Sequence, residues 1–337
     1  MKKIFMMLLV LMAFVVSGCG GQSQSTGKPE NSSSQPISGD LKISMLNVGQ
    51  GDAILIQTGK QTILVDTSDT DERELLVHEL EKLSVTKIDK LILTHPHADH
   101  IGNAKALINP SSKEISANPY LEKISVAEVY DNGIESNSPI YKSYVKAIDA
   151  KKIVHKSLKD GDKLDFGNGA EFKVFYPTKE LVKDVNGGQK SEPNNESIVG
   201  KLTYKDFSML FTGDAEKEAE DKILSKYAKD LKCDVLKSGH HGSYTASSEK
   251  FLDAVKPSYV LISCGPEEAK RNTYGHPHLE ALENYLKHGV DEKNILCTRW
   301  NGTITVTSNG KDFSVAPEKK EDWIKQWIEK KKKEGKK

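Results

Sequence analysis

The chain has 337 residues, 37% of them hydrophobic and 28% charged, and a formal net charge of +0. That length excludes a small disulfide-stapled domain and accommodates one large domain or two ordinary ones, with the composition of a soluble globular protein. Balanced charge excludes a global cationic field for gathering nucleic acid and leaves only a local basic patch for that purpose.

In chain order, Met1-Lys2-Lys3 gives a positive start and residues 4–16 an uncharged apolar run. The run is shorter than the roughly 20 residues a bilayer-spanning helix needs and fits the apolar region of an export signal. It ends in Val16-Ser17-Gly18-Cys19, which resembles the lipobox of bacterial lipoproteins; that resemblance implies cleavage before Cys19 and acylation of its thiol. Residues 20–39 are rich in Gly, Ser, Gln, Asn and Pro, too polar to fold and suited to a flexible tether. The expected organisation is a signal peptide over 1–18, a tether over 19–40, a folded domain over 41–316 and a Lys-rich tail over 317–337. The expected location is the outer face of the cell membrane, through a lipid anchor at Cys19. No obligate protein partner is evident. Cys233, Cys264 and Cys297 remain; three thiols cannot all pair within one chain, they lack metal-ligand spacing, and they read as buried and unreactive.

From Leu41 short apolar runs alternate with turn signals. Residues 41–48, 53–57 and 62–66 read as strands, joined by Gly49-Gln50-Gly51-Asp52 and Thr58-Gly59-Lys60. Residues 72–83 have helical spacing, with Leu75, Leu76, Leu80 and Leu83 on one stripe. A strand over 90–94 runs into Thr94-His95-Pro96-His97-Ala98-Asp99-His100. Further on, 126–130 reads as a strand, 138–150 as a helix, and 163–166, 170–176, 197–204 and 209–212 as strands. A helix over 216–227, a strand over 233–237, a helix over 247–255, a strand over 259–263 and a helix over 278–288 follow. Residues 295–298 and 303–307 read as a closing strand pair. This alternation predicts an α/β fold. From Glu318 Lys and Glu dominate, and the tail reads as solvated, with Trp323, Ile324, Trp327 and Ile328 at helix-like spacing.

His95, His97, Asp99 and His100 occupy six consecutive positions after a predicted strand. Alternation puts His95 and His97 on one side of an extended loop, while Asp99 and His100 turn to another. Two neighbouring cations would use such a set better than one, and imidazole with carboxylate suits zinc, manganese or iron. Two more strand ends carry the same chemistry. Asp214 follows Leu210-Phe211-Thr212-Gly213, where the glycine allows a sharp turn; the alternative for Asp214 is a helix N-cap. His240 and His241 follow Val235-Leu236-Lys237-Ser238-Gly239, one of them a candidate ligand and the other a substrate contact or a packing residue.

These stretches together resemble the metallo-β-lactamase superfamily across roughly residues 41–315, and within it the soluble domain of competence proteins of the ComEC type. Asn47-Val48-Gly49-Gln50-Gly51-Asp52-Ala53, the 94–102 cluster and Leu210-Phe211-Thr212-Gly213-Asp214 carry the resemblance. Leu236-Lys237-Ser238-Gly239-His240-His241-Gly242-Ser243 and Tyr274-Gly275-His276-Pro277-His278 narrow it. The resemblance implies a four-layer αββα sandwich with two divalent ions, zinc or manganese, at one edge. It implies His95 and His97 on one ion, Asp99, His100 and His240 on the other, Asp214 between them, and Asp66 orienting the cluster from behind, with His241 beside it. Many members carry a further histidine where this chain reads Glu192-Pro193-Asn194-Asn195-Glu196-Ser197; an asparagine oxygen is a weaker ligand, so the first site is expected to bind its metal loosely or accept manganese, with Asn195 supporting the ligands from behind.

The implied activity is hydrolysis of a phosphodiester, in nucleic acid or a cell-wall polymer, with Asp99 orienting the nucleophile or taking its proton. His276 is expected to hydrogen-bond a phosphate oxygen or protonate the leaving group, or else to brace its loop; His278 is expected to cap a helix or pack. The alternatives are a phosphorylcholine esterase of cell-wall polymers and a non-catalytic metal- or solute-binding lipoprotein. The later motifs belong to the phosphodiesterase-like side and argue against β-lactam hydrolysis.

Overall fold

The structure, a computed structural model, describes residues 40–266 and 272–335. The predicted signal peptide, Cys19 and all but the last residue of the tether lie outside the described residues. The first six strands are β1 (Leu41–Met45), β2 (Ile54–Gln57), β3 (Thr62–Val65), β4 (Lys87–Ile92), β5 (Ser125–Asp131) and β6 (Val154–Ser157). Seven follow: β7 (Lys163–Asp165), β8 (Ala170–Tyr176), β9 (Val199–Tyr204), β10 (Phe207–Phe211), β11 (Val235–Lys237), β12 (Tyr259–Ile262) and β13 (Ile295–Cys297). The chain then returns with β14 (Ile304–Ser308) and β15 (Phe313–Pro317). One sheet has the order β15-β14-β1-β2-β3-β4-β5-β6, the other β13-β12-β11-β10-β9-β8-β7.

The period-2 alternation of the strands explains why the sheets face each other. Ile43 and Met45 of β1, Ile54 and Ile56 of β2, Phe172 of β8, and Met209 and Phe211 of β10 share one buried cluster between the sheets. Their neighbours in sequence, Leu55 and Leu64 on one sheet and Leu210, Leu236 and Val260 on the other, point outward into two further cores. Helices cover those outer faces because parallel neighbours need crossovers. Helix α1 (Arg73–Lys82) connects the parallel β3 and β4. Helices α2 (Ala98–Ile101), α3 (Ala104–Ile108) and α4 (Ser112–Ala117) lie between β4 and β5, and α5 (Pro139–Lys151) between β5 and β6. Beyond α6 (Lys179–Asn186), the crossovers of the second sheet are α7 (Lys217–Tyr227), α8 (Glu249–Val255) and α9 (Leu279–Lys287). The result is the expected four-layer αββα sandwich.

Several local expectations change. Leu76 and Leu80 of α1 are buried, whereas Leu75 is exposed. The expected closing pair does not form: β13 is an edge of the second sheet and pairs with β12, while β14 pairs with β1 and β15 in the first. The short helix α10 (Thr298–Asn301) carries the chain from one sheet to the other. Edge strand β6 has no buried residue, so it leaves no alternating signal to read. The three described cysteines are buried thiols, and burial pushes Cys233 up to about 12.

The edge of the first sheet is tied down by Asp131, whose carboxylate accepts from Tyr144 of α5 at 3.0 Å and bonds His155 of β6 at 2.6 Å. That hydrogen bond, against the opposing effect of burial, raises the pKa of His155. A histidine raised in the folded state contributes stability that is complete below the unfolded value of about 6.5 and lost as pH rises through the folded value. His155→Gln should therefore lower the unfolding free energy by about 1 kcal/mol at pH 5.5 and by much less at pH 9, as read by urea denaturation of both proteins at both pH values.

The tail is not solvated. Helix α11 (Ile324–Glu334) packs on the outer core of the second sheet, with Trp323, Ile324 and Trp327 buried. Trp300 and Trp323 stack with centroids 4.2 Å apart, and the Trp327 indole N–H donates to the carbonyl of Pro277 at 2.8 Å. Apolar residues three and four apart were the correct signal; the many lysines occupy the outward face. Trp327→Ala should cost about 3 kcal/mol or more, measurable as a lowered unfolding midpoint.

Candidate metal centre

Strand β4 ends at Ile92, and the chain turns at Thr94 because Asp66, directly after the parallel neighbour β3, captures it. The Asp66 carboxylate accepts from the Thr94 backbone N–H at 2.7 Å and its hydroxyl at 2.8 Å. The same carboxylate accepts from His100 Nδ1 at 2.8 Å. Asp66 holds this position with φ +60, a strained conformation for a non-glycine residue that the three hydrogen bonds sustain. Its pKa is raised, burial outweighing the pull of His100. Asp66 thus stands behind His100 as expected. Gly51 brings a second loop against the cluster: at φ +125 its missing Cβ would lie 2.4 Å from the carbonyl oxygen of Asp99. The next residue's N–H, on Asp52, donates to that carbonyl at 3.1 Å.

From the second sheet, Gly213 (φ +49) turns the chain after β10 so that Asp214 points back to the sheet edge. Ligand atoms of Asp99, His100, Asp214 and His241 then lie within 4.8 Å of one another. Asp214 Oδ2 is 3.2 Å from both His100 Nε2 and His241 Nε2, and His241 Nε2 is 3.2 Å from Asp99 Oδ2. Beside them His95 Nε2 and His97 Nδ1 approach to 3.1 Å, close to the ~3.3 Å edge of a tetrahedron with zinc–nitrogen bonds.

The donor chemistry fits a cation. His100 Nδ1 is committed to Asp66, and His241 Nδ1 donates to the Ser263 carbonyl at 2.8 Å. Both Nε2 atoms therefore face carboxylates, and His100 Nε2 has no hydrogen-bond partner although it is buried. A bare nitrogen lone pair against a carboxylate is repulsive unless a proton or a metal ion lies between them. Without an ion protons take that place: burial opposes a charged His241, but Asp214 and Asp99 outweigh it and push its pKa up to about 10. His100 is likewise raised by Asp214 and Asp66 against burial.

Two expectations need correction. His241, not His240, joins Asp99, His100 and Asp214. Across the two consecutive left-handed residues, His240 at φ 44 and His241 at φ 53, the rings meet different partners. His240 instead bonds Glu216 through Nδ1 at 2.9 Å, and its Nε2 is 4.0 Å from Asp214. Asn195 is not at the centre: its side-chain oxygen accepts from the N–H groups of Glu216 at 3.1 Å and Ala219 at 3.2 Å, capping α7. It takes the capping role considered for Asp214. Asn194 faces the cavity, its buried Oδ1 without a hydrogen-bond partner. His276 lies beside the centre with its ring centroid 5.4 Å from that of His240 and 5.9 Å from that of His241. Burial and the charge of His241 lower its pKa to about 2, which favours the neutral ring. Its loop is braced by buried Asn272, which accepts from the His276 N–H and donates to the His276 carbonyl, each at 3.0 Å.

Lys237 was missed. It lies on the same face of β11 as Val235, so the strand drives it between the sheets, where it is 1% exposed. Its ammonium is 2.5 Å from Asp52 Oδ2 and 3.5 Å from Asp214 Oδ1, and donates to the Gly213 carbonyl at 2.7 Å. A lysine within an otherwise apolar strand was the available signal.

Because His241 belongs to the four-donor group and His240 does not, His241→Ala should weaken binding of manganese or zinc at that group by roughly 100-fold, and His240→Ala should leave the group intact. Metal titration with elemental analysis of the dialysed variants checks this order.

The family model described as the metallo-beta-lactamase superfamily matches residues 46–265. The chain is 28% identical over 301 residues to ComE operon protein 3 of Bacillus subtilis, covering 83% of this chain and 35% of that protein. It is 26% identical over 253 residues to competence protein ComA of Neisseria gonorrhoeae, covering 74% of this chain and 30% of that protein. The chain thus spans about a third of the length of these relatives. Among solved structures, the diiron β-hydroxylase CmlA of Streptomyces venezuelae aligns with TM-score 0.48 at 14% identity, over 81% of this chain and 55% of that one. With the family match spanning the strand ends that carry Asp66, His95 to His100, Asp214 and His241, this chain belongs to the metallo-β-lactamase superfamily and within it is similar to competence proteins.

Proposed function

We propose that the protein is a metal-dependent phosphodiesterase, with nucleic acid as its substrate, acting outside the cytoplasmic membrane on a lipid anchor at Cys19. The observation that carries the catalytic part is the convergence of Asp99, His100, Asp214 and His241, of which Asp99 and Asp214 line a cavity of about 760 Å³ and the two histidines are buried behind them. The placement outside the membrane rests on the lipobox-like Val16-Ser17-Gly18-Cys19 and the polar tether behind it.

Asp99, His100, Asp214 and His241 would hold one divalent ion, and His95 and His97 a second, with Asp214 between them; manganese and zinc both suit these donors. Bound divalent ions supply Lewis acidity toward a phosphoryl oxygen and acidify a water enough for it to attack near neutral pH. The side chains do the rest. Burial opposes ionisation of Asp99, yet His100 and His241 hold its carboxyl well below the usual range. At the cavity wall, the Asp99 carboxylate is placed to orient the attacking water by accepting its hydrogen bond. Neutral His276, at the cavity wall, is suited to donate an N–H to a phosphate oxygen. Glu216 and Thr245 hold the His240 ring from its Nδ1 side, leaving Nε2 facing the cavity.

The test is hydrolysis of bis-p-nitrophenyl phosphate, single-stranded DNA and a choline phosphodiester by the manganese- and zinc-loaded protein. Turnover of the first two is expected, and His97→Ala or Asp214→Ala should lower it at least 100-fold with the circular-dichroism spectrum retained. Cleavage of the choline ester with DNA untouched transfers the assignment to a cell-wall esterase. A folded, metal-loaded protein inert toward all three is a binding lipoprotein and not an enzyme.

A further inference from the structure

The wall of the cavity that Asp99 also lines carries two aromatic rings that no part of the hydrolytic chemistry uses. Among the described residues four large hydrophobic side chains are exposed, and two of them, Tyr244 and Tyr274, line this cavity. Exposed apolar side chains scattered singly need no explanation, but two at the mouth of one polar cavity do. Tyr274 is 73% exposed and lies with its ring 21° from the plane of His276, centroids 5.8 Å apart. Tyr244 is 55% exposed, with its ring centroid 5.0 Å from that of His278.

The two tyrosines come from different loops, and one side chain holds both. His278 Nδ1 accepts from the backbone N–H of Tyr244 at 3.2 Å, and His278 Nε2 donates to the backbone carbonyl of Tyr274 at 2.9 Å. Both ring nitrogens are thereby engaged, which fixes one neutral tautomer. His278 stands at the N-cap position of α9 but makes no side-chain cap. It neither caps the helix nor merely packs; it is a strut between two aromatic residues. His276 rests edge-on against the His278 ring with centroids 4.7 Å apart, so the strut also adjoins the wall of the metal centre.

We propose that Tyr274 and Tyr244, held by His278, form a stacking platform for a nucleobase flanking the scissile phosphate, which makes single-stranded nucleic acid the preferred substrate. The inference rests on the phosphodiesterase reading given above. Stacking on an aromatic face tolerates every base and is the usual contact of sequence-independent single-strand binding. The high exposure of both rings favours this over capture of a quaternary ammonium group, which needs rings enclosing the cation. With no net positive charge on the chain, such contacts add affinity that a global cationic field does not supply.

The test compares a fluorescein-labelled oligothymidylate of about 10 nucleotides with an abasic strand of the same length. Binding is read by anisotropy, and cleavage by KM and kcat, with the full metal-loaded protein. Wild type should prefer thymidylate. Tyr274→Ala should raise its Kd and KM for thymidylate roughly 5- to 150-fold and shrink the preference over the abasic strand, whereas Tyr274→Phe should keep both. Tyr244→Ala and His278→Ala should shift the same ratio in the same direction. An unchanged ratio in all three, in a protein that still cleaves DNA, overturns the platform and leaves the phosphodiesterase intact. Loss of thymidylate binding in Tyr274→Ala, in a protein that cleaves nothing, sustains the platform and removes the phosphodiesterase. A wild type that binds both strands equally, with Tyr274→Ala impairing only hydrolysis of glycerophosphocholine, overturns the nucleobase assignment in favour of a quaternary ammonium.

Discussion

Four carboxylates converge at the ends of interior strands of the two sheets, and the rest of the site follows from having to neutralise them. Asp52, Asp66 and Asp214 are each no more than 2% exposed, and Asp99 adjoins them at the cavity wall. An unpaired ionised carboxylate in such a place costs several kcal/mol, more than any single contact nearby returns. Lys237 meets Asp52 and Asp214, His100 meets Asp66 and Asp214, and His241 meets Asp99 and Asp214. Two of these three partners are imidazoles that carry their charge as a proton. A divalent ion placed among the Nε2 atoms replaces those protons, so ion binding and proton release are one event at this centre. Lys237 has no such alternative, and its charge stays fixed beneath Asp214 whatever occupies the cavity.

The same cluster explains where the backbone is strained. Asp66, His240 and His241 adopt left-handed conformations that side chains rarely take, each at a cost of order 1 kcal/mol or more. They persist because the surroundings over-determine them. Asp66 is held by Thr94 and His100, His241 by the Ser263 carbonyl, and His240 by Glu216 and Thr245. Gly51 and Gly213 supply the remaining tight turns, one pressed against the carbonyl of Asp99 and the other aiming Asp214. The Asn47 to Ala53 stretch is thus part of the centre's frame: Gly51 admits the metal-site loop and Asp52 supplies the partner of Lys237.

Much of this was legible because strand ends carry strong signals. Apolar runs stopping at Thr94, Gly213 and Gly239 located the three loops, and the spacing within Thr94 to His100 located the chemistry. Choices between adjacent residues were not legible. His240 against His241, and Asn194 against Asn195, depend on backbone torsions and on which side chain a helix end claims; Asn195 went to the first turn of α7. Lys237 was hidden by the assumption that lysines are solvated, although strand parity placed it with Val235. Strands β6 and β15 lie at the sheet edge, where burial is too slight to impose a pattern. The tail misled through its composition: eleven residues of α11 include enough lysine to look solvated, while Ile324 and Trp327 occupy the buried stripe.

The division of the site between the layers has a mechanical consequence. The first sheet presents Asp52, Asp66 and the His95 to His100 loop, and the second presents Asp214, Lys237, the His240–His241 turn and the His276–His278 loop. Neither half holds a complete ligand set, so the centre exists only when the sandwich is closed. The Asp52–Lys237 pair crosses that junction at 2.5 Å, inside the space left by the inter-sheet core. The outermost layer contributes as well, since Trp327 of α11 bonds the carbonyl of Pro277, between His276 and His278. A contact with no ligand of its own therefore fixes the loop that carries both His276 and His278. Packing of helix α11 is in this way tied to the geometry of the cavity wall, through a single backbone carbonyl.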